Sequence, residues 1–387
     1  MLARLRRCAL LRPCSSSRFN LVVVCSWFLI TRAVALGATH LGSAHMTANK
    51  RIEWDWVAGK SDLFPGPRPP GFIAATVRWD ANFYIALARS GYQLPPPAGL
   101  PFNVAFFPLY PLAVRSLELL LRDTFASAFV ISNVSCLLAA LVMLRLGGAG
   151  KGPRAGLRAA ILLLASPGSH FLSYPYPEAL FLLLTSLAFL AIARDRPFLA
   201  ALPGALASAA RSAGVVVAFA LALGAWNRRR DLRALLHYSI ATILSLAGTA
   251  AFALFCHLHY GDALAFAHIQ RHYGRSLTLF GPFLAFFRFT VDPDYFVVSL
   301  AVVAACVLIV WRRAAPGWLS SSAWFLLLLP LATGTLKAMI RYQATNVPLF
   351  VGVGRMWRGR FFEGMVLACT LLMAFEAFLF GKGIGHY

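Results

Sequence analysis

The long uncharged runs decide what this chain can fold into. The stretches 125–144, 234–256 and 296–311 carry no Asp, Glu, Lys or Arg. A bilayer core of about 30 Å is crossed by a helix of roughly 20 apolar residues. In lipid every backbone N–H and C=O must find a partner inside the protein, which leaves only helices and closed barrels as spanning structures. Continuous apolar runs of this length read as spanning helices. The chain is 59% hydrophobic and 13% charged over 387 residues, against about 25% charged for soluble domains. The expected fold is an all-α polytopic membrane protein with one integral membrane domain, 1–387. The apolar content excludes a disordered chain, and seven Cys in this length exclude a disulfide scaffold.

The basic excess then becomes a topology signal. There are 36 Lys+Arg against 14 Asp+Glu, a net charge of +22. A nucleic-acid-binding protein would display such charge along one soluble face, but here it falls in short loops between apolar runs. The first span is expected at 19–38, followed by an outer loop at 40–124 with surface helices, and the remaining spans at 125–380. Ala33-Val34-Ala35 would also suit signal-peptide cleavage, but Arg32 interrupts the apolar region before it. Within the loop, Asp80 to Gly91 has helical spacing. The run 106–121 contains Pro108, Pro111, Arg115 and Glu118 and is expected to lie along the membrane surface. The run 198–226 would be about 43 Å long as one helix, and Arg211, Ser212 and Gly214 at its middle predict a break. With these assignments, 20 of the 36 basic residues and only two acids lie inside. That satisfies the positive-inside rule with about eleven spans and a cytoplasmic N-terminus.

On this map the unusual polar residues gather on the outer face, where ionisable groups near membrane depth point to function. Asp80 could cap its helix or act as a general base. Asp55 shares its Trp neighbour but no clean helix follows it. Glu178 could be a first-turn acid favoured by the helix dipole. Arg211 has no acid nearby in sequence and must find an anion elsewhere. Arg341 and Lys337 could simply snorkel to the interface. His268 and His272 have the i, i+4 spacing of a zinc pair on a helix, but no HExxH accompanies them. The Cys residues form no CxxC pair, so no metal site is expected. Asn133-Val134-Ser135 is a glycosylation sequon within an expected span, where it cannot be used.

Six stretches follow one another in order: Arg78-Trp79-Asp80-Ala81-Asn82-Phe83-Tyr84, Phe106-Phe107-Pro108-Leu109-Tyr110-Pro111, Tyr176-Pro177-Glu178-Ala179, Arg211-Ser212-Ala213-Gly214, Gly261-Asp262-Ala263-Leu264-Ala265-Phe266 through Gln270, and Arg341-Tyr342 with Pro348. Together they resemble the motifs of the PIG-V, or GPI mannosyltransferase II, family. Ala213 stands where the family has Asn, and Tyr273 where it has Trp. The resemblance implies a GT-C fold, with a large first outer loop carrying juxtamembrane helices. It also implies inverting transfer of mannose or a related hexose from a polyprenyl phosphate to a lipid- or glycan-linked acceptor on the outer or lumenal face, with Asp80 as the catalytic Asp. Glu178 is expected to assist it, and Arg211, Arg341 and Lys337 to hold the donor phosphate. Trp79, Tyr176, Gln270 and His268 are expected to bind substrate. A lipid-phosphate donor requires no metal-bound nucleotide, so no cofactor is expected. The implied partners are the bilayer, the donor and the acceptor, with no nucleic acid. A transporter or flippase of lipid-linked sugars and an inactive partner subunit are the alternatives. The short, Ala/Leu/Arg-rich chain favours a bacterial plasma membrane, with the endoplasmic reticulum membrane as the alternative.

Overall fold

Length separates the helices into two groups. A computed structural model of the chain describes residues 15–47, 71–93, 100–287 and 293–384. Trp54-Asp55 and the Pro-rich strip of the outer loop fall outside the described residues. Five helices are long and apolar enough to cross a bilayer: Arg18–Ala44, Thr124–Gly148, Leu232–Tyr260, Pro293–Trp311 and Gly359–Gly381. A sixth span results if Pro153–Ala165 and Pro167–Ser173, bent by 79°, are counted together. Five other apolar helices are shorter: Glu178–Ala193, Pro197–Ala210, Ser212–Asn227, Gly317–Leu331 and Val347–Met356. Their 10–17 residues reach only about 15–25 Å at 1.5 Å per residue. The expected eleven spans therefore require every short and bent helix to be counted; length and composition give five, or up to six. No strand occurs among the described residues.

Four of the short helices have an end at or near one of the chain's unusual charges. Glu178 opens one of them, Arg211 follows another, and Arg341 lies in the one-turn helix Met339–Gln343 just before Val347–Met356. Long helices such as Thr124–Gly148 flank them. The site described below is thus built on helix ends that stop short of a full crossing.

The break expected at Arg211 is present. Pro197–Ala210 ends there, Arg211 adopts extended backbone (φ −158°, ψ 151°), and a 3-10 turn Ser212–Val215 leads into Val216–Asn227. Gly214 makes the tight return possible, since a Cβ there would lie 2.3 Å from the Ala207 carbonyl carbon. Asp80–Ser90 is helical, as its spacing predicted. Leu109–Leu121 buries Tyr110 and Val114 and exposes Leu119 and Leu120. It is not among the helices long and apolar enough to cross. Asn133 lies within Thr124–Gly148, and its Nδ2 donates to the carbonyls of Phe129 and Ser173.

Arg32 explains the bend at Ser166. It is a buried cation on the helix Ser15–Ala44, which packs along Gly359–Gly381 and against Pro153–Ala165. Its guanidinium donates to the carbonyls of Leu164 (3.0 Å) and Ser169 and to the Ser169 hydroxyl. A helix that ends inside a membrane leaves carbonyls with no water to take up the loss, and Arg32 supplies donors at that point. Hydrogen bonds to charged groups contribute about 1.5–3 kcal/mol each, so Arg32→Met is expected to lower unfolding stability in detergent by at least ~3 kcal/mol. Unchanged thermal unfolding in that variant would remove Arg32 from this role.

Candidate active site

Two carboxylates and two guanidiniums form a continuous chain. Arg341 Nη1 donates to Asp80 Oδ2 at 2.7 Å, and Arg341 Nε lies 3.4 Å from Glu178 Oε1. The same Glu178 oxygen is 3.0 Å from Arg211 Nη1. Glu178 is thus the anion that Arg211 lacked in the sequence. Its other oxygen, Oε2, is buried with no hydrogen-bond partner, so the chain has a spare acceptor at its centre.

Local backbone sets these positions. Trp79 has φ 48°, an uncommon conformation for a residue with a side chain, and it immediately precedes the helix beginning at Asp80. The Trp79 ring packs edge-on against Phe380 at 4.7 Å. The Tyr176 hydroxyl donates to the Arg78 carbonyl at 2.8 Å, holding the same turn from the other side. Asp80 does not cap its helix: it is the first helical residue, and its carboxylate is turned toward Arg341. Arg341 is placed by a close backbone approach, because a Cβ on Gly168 would lie 2.2 Å from the Ile340 carbonyl oxygen. That contact sets the Arg341 guanidinium over the rings of Tyr176 (5.4 Å), Phe171 (5.8 Å) and Tyr342 (5.2 Å).

A third guanidinium joins from the loop after residue 260. Arg275 Nη1 donates to the Tyr342 hydroxyl, which Arg341 Nη2 also approaches at 3.5 Å. Arg211 lies 5.1 Å from the Tyr342 ring. Burial would raise the Tyr342 phenol, but Arg275, Arg341 and Arg211 together hold it below its ordinary value. Three guanidiniums and two carboxylates leave one positive charge in excess among these described residues, so the cluster is suited to an anion. Asp80 and Glu178 differ in access: the Asp80 side chain is 26% exposed and that of Glu178 is 2% exposed. Only Asp80 is open to an incoming group.

Other expected residues fall elsewhere. Lys337 is exposed, and its backbone N–H donates to Thr335 Oγ1. It is not brought to the cluster. His268 pairs with Asp262 at 2.7 Å. That contact is exposed and holds the Asp262 carboxyl below its usual range. The zinc-pair spacing fails because the helix Ala265–His268 gives way to a 3-10 turn, Ile269–Tyr273, which separates His268 from His272. Among the described residues no group of three or more His, Cys, Asp or Glu could hold a metal ion. Gln270 lies on the same turn with no side-chain bond to the cluster. Its neighbour Tyr273 comes nearer: burial, then the Asp80 charge, push its phenol up, with Arg275 opposing. Arg275 was not singled out in the sequence, where it is one more Arg in a polar loop. Only the fold brings it to Tyr342.

The family model described as Mannosyltransferase (PIG-V) matches residues 70–261. This segment belongs to the PIG-V mannosyltransferase family. The PIG-V segment contains Asp80, Glu178 and Arg211, while Arg275 and Arg341 lie beyond it. GPI alpha-1,6-mannosyltransferase 2 of mouse is 34% identical over 160 residues, 38% of this chain and 31% of the mouse protein. The human protein of the same name is 33% identical over 177 residues, 40% of this chain and 35% of its own length. GPI mannosyltransferase 2 of the fungus Chaetomium globosum is 31% identical over 182 residues, 43% and 38% of the two chains. The matched part of this chain therefore spans about a third of the length of these PIG-V relatives. A crystal structure of the Archaeoglobus fulgidus oligosaccharyltransferase with zinc and sulfate superimposes with a TM-score of 0.45 and 12% identity, over 79% of this chain and 48% of that one.

Because Glu178 sits between two cations, removing it leaves both Arg341 and Arg211 buried and short of an anion. Breaking one partner of a buried pair costs about 3–5 kcal/mol. Glu178→Ala and Arg341→Ala should each lower stability on that scale, and the double variant should cost clearly less than the two losses added. Additive losses in chemical unfolding would show that the contacts are not energetically coupled.

Proposed function

We propose that this chain transfers mannose from a polyprenyl phosphate carrier to a hydroxyl of a lipid-linked glycan, with inversion, in the GT-C architecture that its family resemblance implies. The observation that carries this reading is the Asp80–Arg341 contact: one partly exposed carboxylate touches a buried guanidinium in a cluster with positive charge to spare. Asp80 Oδ2 is held by Arg341, leaving Oδ1 for the acceptor hydroxyl. The acceptor oxygen attacks the anomeric carbon while its proton passes to Asp80. The bond from that carbon to the phosphate oxygen breaks, and its electron pair leaves on the phosphate. Arg341, Arg211 and Arg275 are close enough to one another to share the charge that develops there, as guanidiniums do with phosphate. Glu178 keeps Arg341 and Arg211 at a fixed separation. No metal or other cofactor enters this scheme.

The relatives' names point to a glycosylphosphatidylinositol precursor as acceptor, with an α-1,6 linkage. The relatives named above come from animals and a fungus. They favour the endoplasmic reticulum membrane, so the bacterial plasma membrane expected from composition gains no support. The transfer is placed on the face that bears Asp80, which would be lumenal if the Arg-rich loops are cytoplasmic.

Transfer of labelled mannose from polyprenyl phosphomannose, measured with purified protein, tests this directly. Asp80→Asn keeps the size and polarity of the side chain and should lower turnover by about 10²–10⁴. Arg211→Ala should weaken donor binding more than acceptor binding, and Lys337→Ala should change neither. Near-normal turnover of Asp80→Asn, or no transfer by the unaltered protein with any mannosyl lipid donor, would overturn the assignment.

A further inference from the structure

The opposite end of the helix bundle carries a second polar feature that sugar transfer does not use. Glu178 opens and Ala193 closes a helix of 16 residues, which separates its ends by about 23 Å. Beside Ala193 a cavity of about 330 Å³ opens, lined by Leu146, Ile192, Trp318 and the polar side chains of Asp195, Arg228 and Arg355. Its residues come from the ends of five helices or the residues next to them.

The charges in this cavity do not cancel. Arg228 Nη2 pairs with Asp195 Oδ1 at 2.8 Å, and the Tyr238 hydroxyl donates to the same oxygen at 2.8 Å. Asp195 is therefore already satisfied. Arg355 is fixed by bonds from Nε to the Gly147 carbonyl (3.0 Å) and from Nη2 to the carbonyls of Leu146 (3.1 Å) and Ala149 (2.9 Å). A guanidinium has five N–H donors, and these bonds leave those of Nη1 unused. No carboxylate pairs with Arg355 among the described residues. The lining thus has a net charge of +1 and a rigidly held donor.

Two exposed Trp residues give the depth. Trp226 lies two residues before Arg228, and Trp311 five residues before Pro316 of the cavity wall. Arg229 stacks on Trp226 at 4.8 Å and Arg312 on Trp311 at 5.3 Å. Exposed Trp with a neighbouring cation marks the headgroup level of a membrane. A basic cavity between helices at that level, with Trp318 and apolar walls, has the chemistry of an anionic lipid headgroup site. We propose that this cavity seats the phosphate of an anionic phospholipid, at a site separate from the Asp80 cluster, and that the bound lipid ties the five helix ends together.

The test uses the full chain purified in neutral detergent, with thermal unfolding and native mass spectrometry as readouts. Phosphatidylglycerol should bind and raise the unfolding temperature, whereas phosphatidylcholine should do neither. Arg228→Gln should weaken phosphatidylglycerol binding at least tenfold, and Arg229→Gln, on the exposed Trp226 rather than in the cavity, should change it less than twofold. Asp195→Asn should act in the opposite sense and tighten binding, which keeps the test decisive if Arg228→Gln fails to fold. Equal binding of the two lipids, equal losses in the Arg228 and Arg229 variants, or unchanged binding in Asp195→Asn would overturn the proposal. So would full protection by soluble glycerol 3-phosphate at the same concentration, since the ligand would then be a free phosphate ester.

Discussion

Everything on the Asp80 face depends on Arg341. It pairs with both carboxylates, and it is almost wholly buried. A lone guanidinium at that depth would be very costly, and two lone carboxylates equally so. Their mutual compensation is what allows three short helix ends, the turn before Asp80 and the one-turn helix Met339–Gln343 to meet in one place. Among the described residues the cluster's charges do not balance: three guanidiniums surround Tyr342 while two carboxylates face them. A structure held by ion pairs alone would balance. This one keeps a cation in reserve, which is what a site for a phosphate-bearing ligand requires.

Much of this was legible in the sequence where the signal was local. The interruption of 198–226 at Arg211 could be read because a charge, a Ser and a Gly fell at the centre of a run too long for one helix. The helix after Asp80 could be read from its spacing. What could not be read was pairing across the chain. Glu178 and Arg211 are 33 positions apart, and Asp80 and Arg341 are 261 apart; no periodicity links them. The same limit hid Arg275, whose role depends on where Tyr342 is carried. Lys337 misled because charge near a helix end looks alike whether the side chain turns inward or outward. The i, i+4 spacing of His268 and His272 has no counterpart in the fold, because the chain tightens to a 3-10 turn between them.

The number of spans was harder to read for a related reason. A window finds apolar stretches but does not say whether each reaches the other side. Five of the apolar helices fall short of 18 residues, and several of those ends carry the polar residues of the two sites. Shortness and function are the same fact seen twice: backbone that stops inside the membrane must be partnered by side chains, and those side chains are charged. Arg32 does this structurally at the bend after Ala165. Arg355 does it at the other end of the bundle, whereas Arg211 and Arg341 pair with the carboxylates of Glu178 and Asp80.

The depth of those helix ends also bears on the shape of the surrounding bilayer. A helix of 14 residues such as Pro197–Ala210 covers about 21 Å, against a hydrocarbon core of about 30 Å. Lipids beside it must shorten, tilt or leave a dimple, at a cost of fractions of a kcal/mol per Å of mismatch. A carrier with a long, flexible tail could sink its phosphate into such a dimple more easily than an ordinary two-chain phospholipid could. Local thinning would then sort lipids by tail as well as by headgroup, before any side chain makes contact.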